Sequence, residues 1–221
     1  MRVIQWRFGN VRLEEMFKNR FSKQERKAND MKKDLGVLEA VFPMPVLMIA
    51  TYNDDGTVNV MTAAWGQVCD YKQIALFLDE GHKTAENILK TKAFTVALAD
   101  QAHMAGADFF GIVSGHKMPD KFARSGYTAI KSSRVNAPII EEFPLVMECE
   151  LADVLKKGSL FGVIGRIVNT AADERVLDAE GKVDVTKLDA LMYDTFRHGY
   201  YVCGEKAGQA FKEGAALMGK K

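Results

Sequence analysis

The chain has 221 residues, 48% of them hydrophobic and 27% charged, with a net charge of +1. That is the balance of a globular protein, with enough chain for one full core or for one domain plus an appendage. Near-neutrality removes any bulk electrostatic case for nucleic acid, and no apolar run approaches the roughly 20 residues of a membrane span. The first residues lack the continuous apolar stretch of a secretory signal, so the cytoplasm is the expected compartment. Cys69, Cys149 and Cys203 are odd in number and far apart, which points to reduced thiols. His82, His103, His116 and His198 are scattered without paired Cys/His spacing, so no metal site is expected.

The first thirty residues carry a net charge of +4, against −3 for the remainder. They mix Trp6, Phe8, Phe17 and Phe21 with charges at only weak helical spacing. Met31-Lys32-Lys33-Asp34 looks like a natural beginning. Glu25-Arg26-Lys27-Ala28 can be encoded by a purine-rich string of the kind that precedes a bacterial start codon. Translation is therefore expected to begin at Met31, which makes residues 1–30 a basic extension and 31–221 a single domain.

From Phe42 onward the pattern is mostly β. Val46–Tyr52 is a short apolar strand closed by the turn Asn53-Asp54-Asp55-Gly56. Val58–Val68 reads as one strand with small residues in its middle, and Gln73–Leu78 as the next. Residues 84–92 are helical, and Ala93–Leu98 is a fourth strand. Residues 101–113 and 119–125 read as short helices, the second stopped by Gly126. Leu145–Leu155 and Leu160–Val168 are longer strands joined at Lys156-Lys157-Gly158-Ser159. A small excursion is expected around Glu180-Gly181, a short helix over Thr186–Met192, a strand at Tyr200–Val202 and a helix over Glu205–Met218. Six or seven strands interrupted by helices predict an antiparallel barrel with helical decoration rather than a doubly wound sheet.

Three stretches could carry chemistry. At Gly81-His82-Lys83-Thr84 a strand gives way to a helix, whose start exposes unpaired N–H groups and the positive end of its dipole. Two basic side chains and a hydroxyl there could cradle a phosphate, or Thr84 could be an ordinary N-cap. The stretch lacks the upstream glycine of a P-loop, and no G-x-G-x-x-G follows a strand. In Asn59-Val60-Met61-Thr62-Ala63-Ala64-Trp65, small residues allow close approach to the backbone beside one large aromatic; the alternative is plain packing around Trp65. At Ser114-Gly115-His116 a helix ends in a loop, and Pro119 opens another helix with Asp120 in its first turn. There Asp120 and Lys121 read as capping and surface charge, and His116 as an exposed loop residue.

In order and spacing these pieces resemble the flavin reductase-like family of FMN-binding split barrels, and within it the flavoredoxin type. The resemblance runs from about 40 to 215. It includes Pro43-x-Pro45-Val46, Asn59 to Trp65, Lys83-Thr84-x-x-Asn87-Ile88, Phe94-x-Val96, Ser114-Gly115, Asp120-Lys121-Phe122, and Tyr200-Tyr201 with the Gly204-Glu205-Lys206 tail. It implies a mainly β, antiparallel Greek-key split β-barrel and an FMN site across a homodimer interface. His82, Lys83 and Thr84 would hold the phosphate, and the ring would rest on Thr62, Ala63, Ala64 and Trp65. Ser114, Gly115 and His116 would close the site. Relatives often carry Arg or Ser near position 82 and Arg near 116, where this chain has histidines. The implied activity is hydride transfer from NAD(P)H to FMN, with electrons passed on to a small molecule or a redox protein and no catalytic side chain required. A non-catalytic haem-binding or regulatory split barrel is the alternative.

Overall fold

The computed structural model describes residues 32–218. The reading of residues 1–30 as an extension, and of Met31 as the start, lies outside them. The chain divides at Glu39 into two units, and residues 32–39 of the first contain no helix or strand.

The second unit opens with β1 (Met44–Pro45) and β2 (Leu47–Tyr52). Five of the six β2 residues are buried, because the strand has a core on each face. Leu47 and Ile49 join a cluster with Leu76, Phe94 and Val163, while Met48 and Ala50 join another with Val60, Phe110 and Phe143. This is the period-two alternation of a strand, with apolar groups at both phases. The expected turn follows, with Gly56 at φ +80°, and β3 (Val58–Ala63) returns antiparallel with Val60 opposite Ala50.

The stretch 58–68 is two strands rather than one. β3 stops at Ala63, the chain bends through Ala64–Trp65, and β4 (Gly66–Asp70) begins with a new partner, β5 (Gln73–Phe77). Gly66 makes the bend possible. A Cβ there would stand 2.7 Å from a Leu47 methyl and 2.8 Å from one of Leu76.

Next come α1 (Lys83–Thr91) and β6 (Ala93–Leu98). After a 3-10 turn, α2 (Met104–Ile112) and α3 (Lys121–Ser125) follow. A small hairpin of β7 (Ala129–Lys131) and β8 (Pro138–Ile140) has no counterpart in the sequence reading. β9 (Leu145–Lys157) and β10 (Leu160–Ala172) form the long hairpin. The glycines of β10 mark close packing: a Cβ on Gly165 would lie 2.4 Å from the Phe94 ring. α4 (Val185–Leu188) ends at Asp189 with φ +50°, shorter than the expected helix because β11 (Met192–Asp194) starts three residues on. β12 (Gly199–Tyr201) completes the strands.

The helix expected over Glu205–Met218 is reduced to a 3-10 turn at Glu213–Leu217. Gly208 and Gly214 interrupt the stretch and Phe211 is fully exposed, so no apolar face is buried to hold a helix.

The main sheet has seven strands in the order β3-β2-β6-β9-β10-β5-β4, all antiparallel. Its two edge strands, β3 and β4, are joined by the Ala64–Trp65 bend, so the sheet rolls until its edges meet at one corner without pairing along their length. β1, β11 and β12 form a three-stranded sheet beside it. This is a split barrel, and the corner between its edges is where the candidate site lies. Among the described residues, no helix is long and apolar enough to cross a membrane.

Candidate functional site

The site is built around the start of α1. Asp79 shapes the approach: its carboxylate accepts the Gly81 N–H at 2.7 Å and its carbonyl accepts the His82 N–H at 3.0 Å. The N-cap position belongs to His82, in extended conformation and without a side-chain cap. Thr84 is therefore not the cap. It is the second helical residue, buried, with its hydroxyl turned inward to accept the Asn59 amide at 2.8 Å. Asn59 also reaches Thr51, which accepts from Asn87, and Asn87 in turn donates to Asn53. This buried chain of amides and hydroxyls pins the helix start to β2 and β3, while the first-turn N–H groups have no partner within the helix.

Lys83 lies 3.0 Å from the Glu86 carboxylate, which Lys90 also approaches at 2.8 Å. The Lys90 and Lys83 ammonium groups hold the Glu86 carboxyl down at about 2. His116 stands on the outer side of the same carboxylate, 3.9 Å away and half exposed.

Facing α1 is the loop after α2. The Ser114 carbonyl accepts the Lys117 and Met118 N–H groups, folding the loop back on itself. Gly115 presses against β3 and α1, where a Cβ would lie 2.5 Å from Asn59 Oδ1 and 3.2 Å from Lys83 Cβ. Gly115→Ala is expected to push the loop outward at a cost of about 1–3 kcal/mol, read as a lowered unfolding midpoint.

Lys121 is the feature the sequence reading treated as surface charge. It is only 2% exposed. Its ammonium donates to the Val113 carbonyl at 2.9 Å and, more weakly, to that of Phe110 at 3.5 Å, both at the C-terminal end of α2. Burial pushes its pKa down to about 8. Among the described residues no carboxylate pairs with it. The motif Asp120-Lys121-Phe122 belongs to the resemblance, but nothing local marks the lysine as buried, because its burial comes from the docking of α3 onto α2.

These groups enclose a cavity of about 230 Å3 lined by Asn59, His82, Lys83, Thr84, Ser114, Gly115 and Lys121. Thr62, Gly111 and Ile112 form the shared wall with a second cavity of about 320 Å3. The Thr62 hydroxyl donates to the Ala107 carbonyl and so ties β3 to α2 along this wall. The second cavity continues past Ala63, Ala64 and Trp65 to Asp108, Tyr193, His198 and Tyr200. Together they form one groove, cationic at the α1 end and aromatic at the other. The groove brings together nine of the ten expected residues, Thr62 to Trp65, His82 to Thr84, Ser114 and Gly115. His116 lines neither cavity.

Such a groove suits a ligand with an anionic group at one end and a planar ring at the other. Residues 39–199 match the family described as Flavin reductase like domain. The flavoredoxin of Desulfovibrio vulgaris (Miyazaki F) is 33% identical, with a TM-score of 0.79 over 83% of this chain and 100% of that one. Flavoredoxin from Methanosarcina acetivorans is 26% identical, with a TM-score of 0.76 over 85% of this chain and 100% of that one. A protein of Aeropyrum pernix is 27% identical over 126 residues, 56% of this chain and 48% of its own length, so the chain spans about half of that relative. The match over most of the domain, together with the rolled antiparallel sheet, places this chain in the flavin reductase-like split-barrel family.

Proposed function

We propose that the protein binds FMN in this groove and works as an NAD(P)H oxidoreductase or flavoredoxin-like electron carrier. The observation that carries the reading is Lys121, a buried ammonium that donates to two carbonyls beside the Phe110 ring and has no counter-charge among the described residues, facing Lys83 and the α1 N-terminus across a cavity that opens onto a ring-sized slot. A buried cation without a counter-charge is costly, and a phosphate there would relieve it. Gly115 fits the same role, since the space a Cβ would fill is needed for the loop to close on Asn59 and Lys83.

In this reading His82, Lys83, Lys121 and the first-turn N–H groups of α1 hold the phosphate, and Thr84 positions Asn59 and the helix start. Thr62, Ala63, Ala64 and Trp65 back the ring, Ser114 and Gly115 close the loop, and His116 neighbours the phosphate end. Bound FMN would supply the hydride and electron chemistry, while the protein binds, orients and excludes water. Backbone N–H groups at the Ala63–Trp65 bend would stabilise negative charge on the reduced ring. No side chain needs to act as acid or base.

A homodimer fits the exposed apolar residues Phe77, Leu155 and Leu160 on the neighbouring strands β5, β9 and β10, with Trp65 in the bend before β4, which a second copy would cover. Action in the cytoplasm on a small-molecule or protein acceptor, with residues 1–30 preceding the native start, completes the proposal. The test is an absorbance spectrum of the purified protein with FMN, followed by anaerobic titration with NADH and NADPH. Bleaching of a bound-flavin band by either nucleotide supports the reading; a protein that binds no flavin refutes it.

A further inference from the structure

The two ends of the groove carry opposite charge. The α1 end gathers His82, Lys83 and Lys121, whereas among the described residues the lining of the far end includes the Asp108 carboxylate and no lysine or arginine. The Tyr200 hydroxyl donates to Asp108 at 2.9 Å. Burial and the neighbouring Asp108 push the Tyr200 phenol up to about 12, so it stays protonated and keeps donating.

The wall opposite Trp65 is a rigid aromatic surface. Tyr193 and Tyr200 stand directly across from each other in the β11–β12 pairing, with ring centroids 6.1 Å apart. His198 stacks on Tyr193 at 22° and its Nδ1 is 2.6 Å from the Tyr193 hydroxyl. His198 sits at φ +57°, a conformation held by its N–H bond to the Asp194 carbonyl. None of these residues belongs to the phosphate end or to the strand that backs the ring.

We propose that this far end is the seat of the second reactant and selects neutral, planar cyclic carbonyl compounds, the quinone class among them, against aromatic carboxylates. The inference rests on the flavin reading above. The aromatic wall supplies flat apolar contact, the Tyr193–His198 pair supplies a hydrogen-bond donor for a carbonyl oxygen, and Asp108 repels a carboxylate.

Benzamide and benzoate share shape and differ in charge, which makes them the probes. The protein is first titrated with FMN, and each probe is then added to the FMN-loaded form while the bound-flavin absorption is followed. Benzamide is expected to bind about tenfold more tightly than benzoate, and Asp108→Asn to bring the two within about twofold by improving benzoate. Equal binding of both probes, no spectral change with either, or an unchanged ratio in the variant overturns the inference while FMN binding stands. Failure to bind FMN overturns the proposed function and this inference with it.

Discussion

Replacing Lys121 with methionine is expected to weaken FMN about a hundredfold while changing riboflavin by less than about threefold, measured by quenching of flavin fluorescence. A hundredfold corresponds to about 2.7 kcal/mol, within the range for removing one partner of a desolvated charge pair. Methionine keeps an unbranched apolar stem while removing the ammonium that stands 6.0 Å from the Phe110 ring centroid, so α3 should stay docked. Because the ammonium is buried without a carboxylate, its removal should not lower the unfolding temperature of the flavin-free protein. The pH dependence follows from the same group. Its folded pKa is about 8, below the ordinary 10.5. Between these values the unfolded chain holds a proton that the folded protein has lost, so stability of the flavin-free protein rises with pH through that window. A phosphate favours the ammonium form, so FMN affinity is expected to fall as pH rises above about 8. That fall should be absent for riboflavin and for Lys121→Met.

Phe94→Ala is expected to cost about 3–5 kcal/mol, the range for emptying a fully buried aromatic position. Phe94 has no exposed surface and packs with Ile49, Leu76 and Val163 in the cluster that α1 also joins through Ala85 and Ile88. Gly165 lies against its ring, so β10 comes so close that its backbone cannot collapse further into the space left behind. In urea the midpoint should drop with little change in slope, since the surface exposed on unfolding is nearly the same. Loosening this cluster would also free the underside of α1, so flavin affinity should decline along with stability.

The strands were legible wherever an apolar run ended in a turn of defined chemistry. β2 before Asn53–Gly56, and β9 and β10 on either side of Gly158-Ser159, are of this kind. The break between β3 and β4 was not, because what demands it is the contact of Gly66 with Leu47 and Leu76, residues distant in sequence. The tail from Glu205 has helical composition but buries no face, and composition alone does not hold a helix. At the site, the start of α1 was placed within one residue, and of the two readings of Thr84 the ordinary N-cap is the one that fails. A hydroxyl near a helix start looks like a cap whether it points back along the chain or inward to Asn59. The bond to Asn59 also means that Thr84→Ala would disturb β3 together with the cavity at the α1 start. Lys121 and the Tyr193–His198–Tyr200 wall stayed hidden for one reason: helix docking and strand pairing create them, and no spacing within a local window records either.

The most direct test of the flavin reading is a side-by-side equilibrium titration of the purified protein with FMN and riboflavin at pH 7, which differ only in the phosphate. The expected result is FMN bound at least about a hundredfold more tightly than riboflavin. Equal affinity for the two flavins, or no binding of either, would contradict the assignment of the α1–Lys121 cavity as a phosphate site.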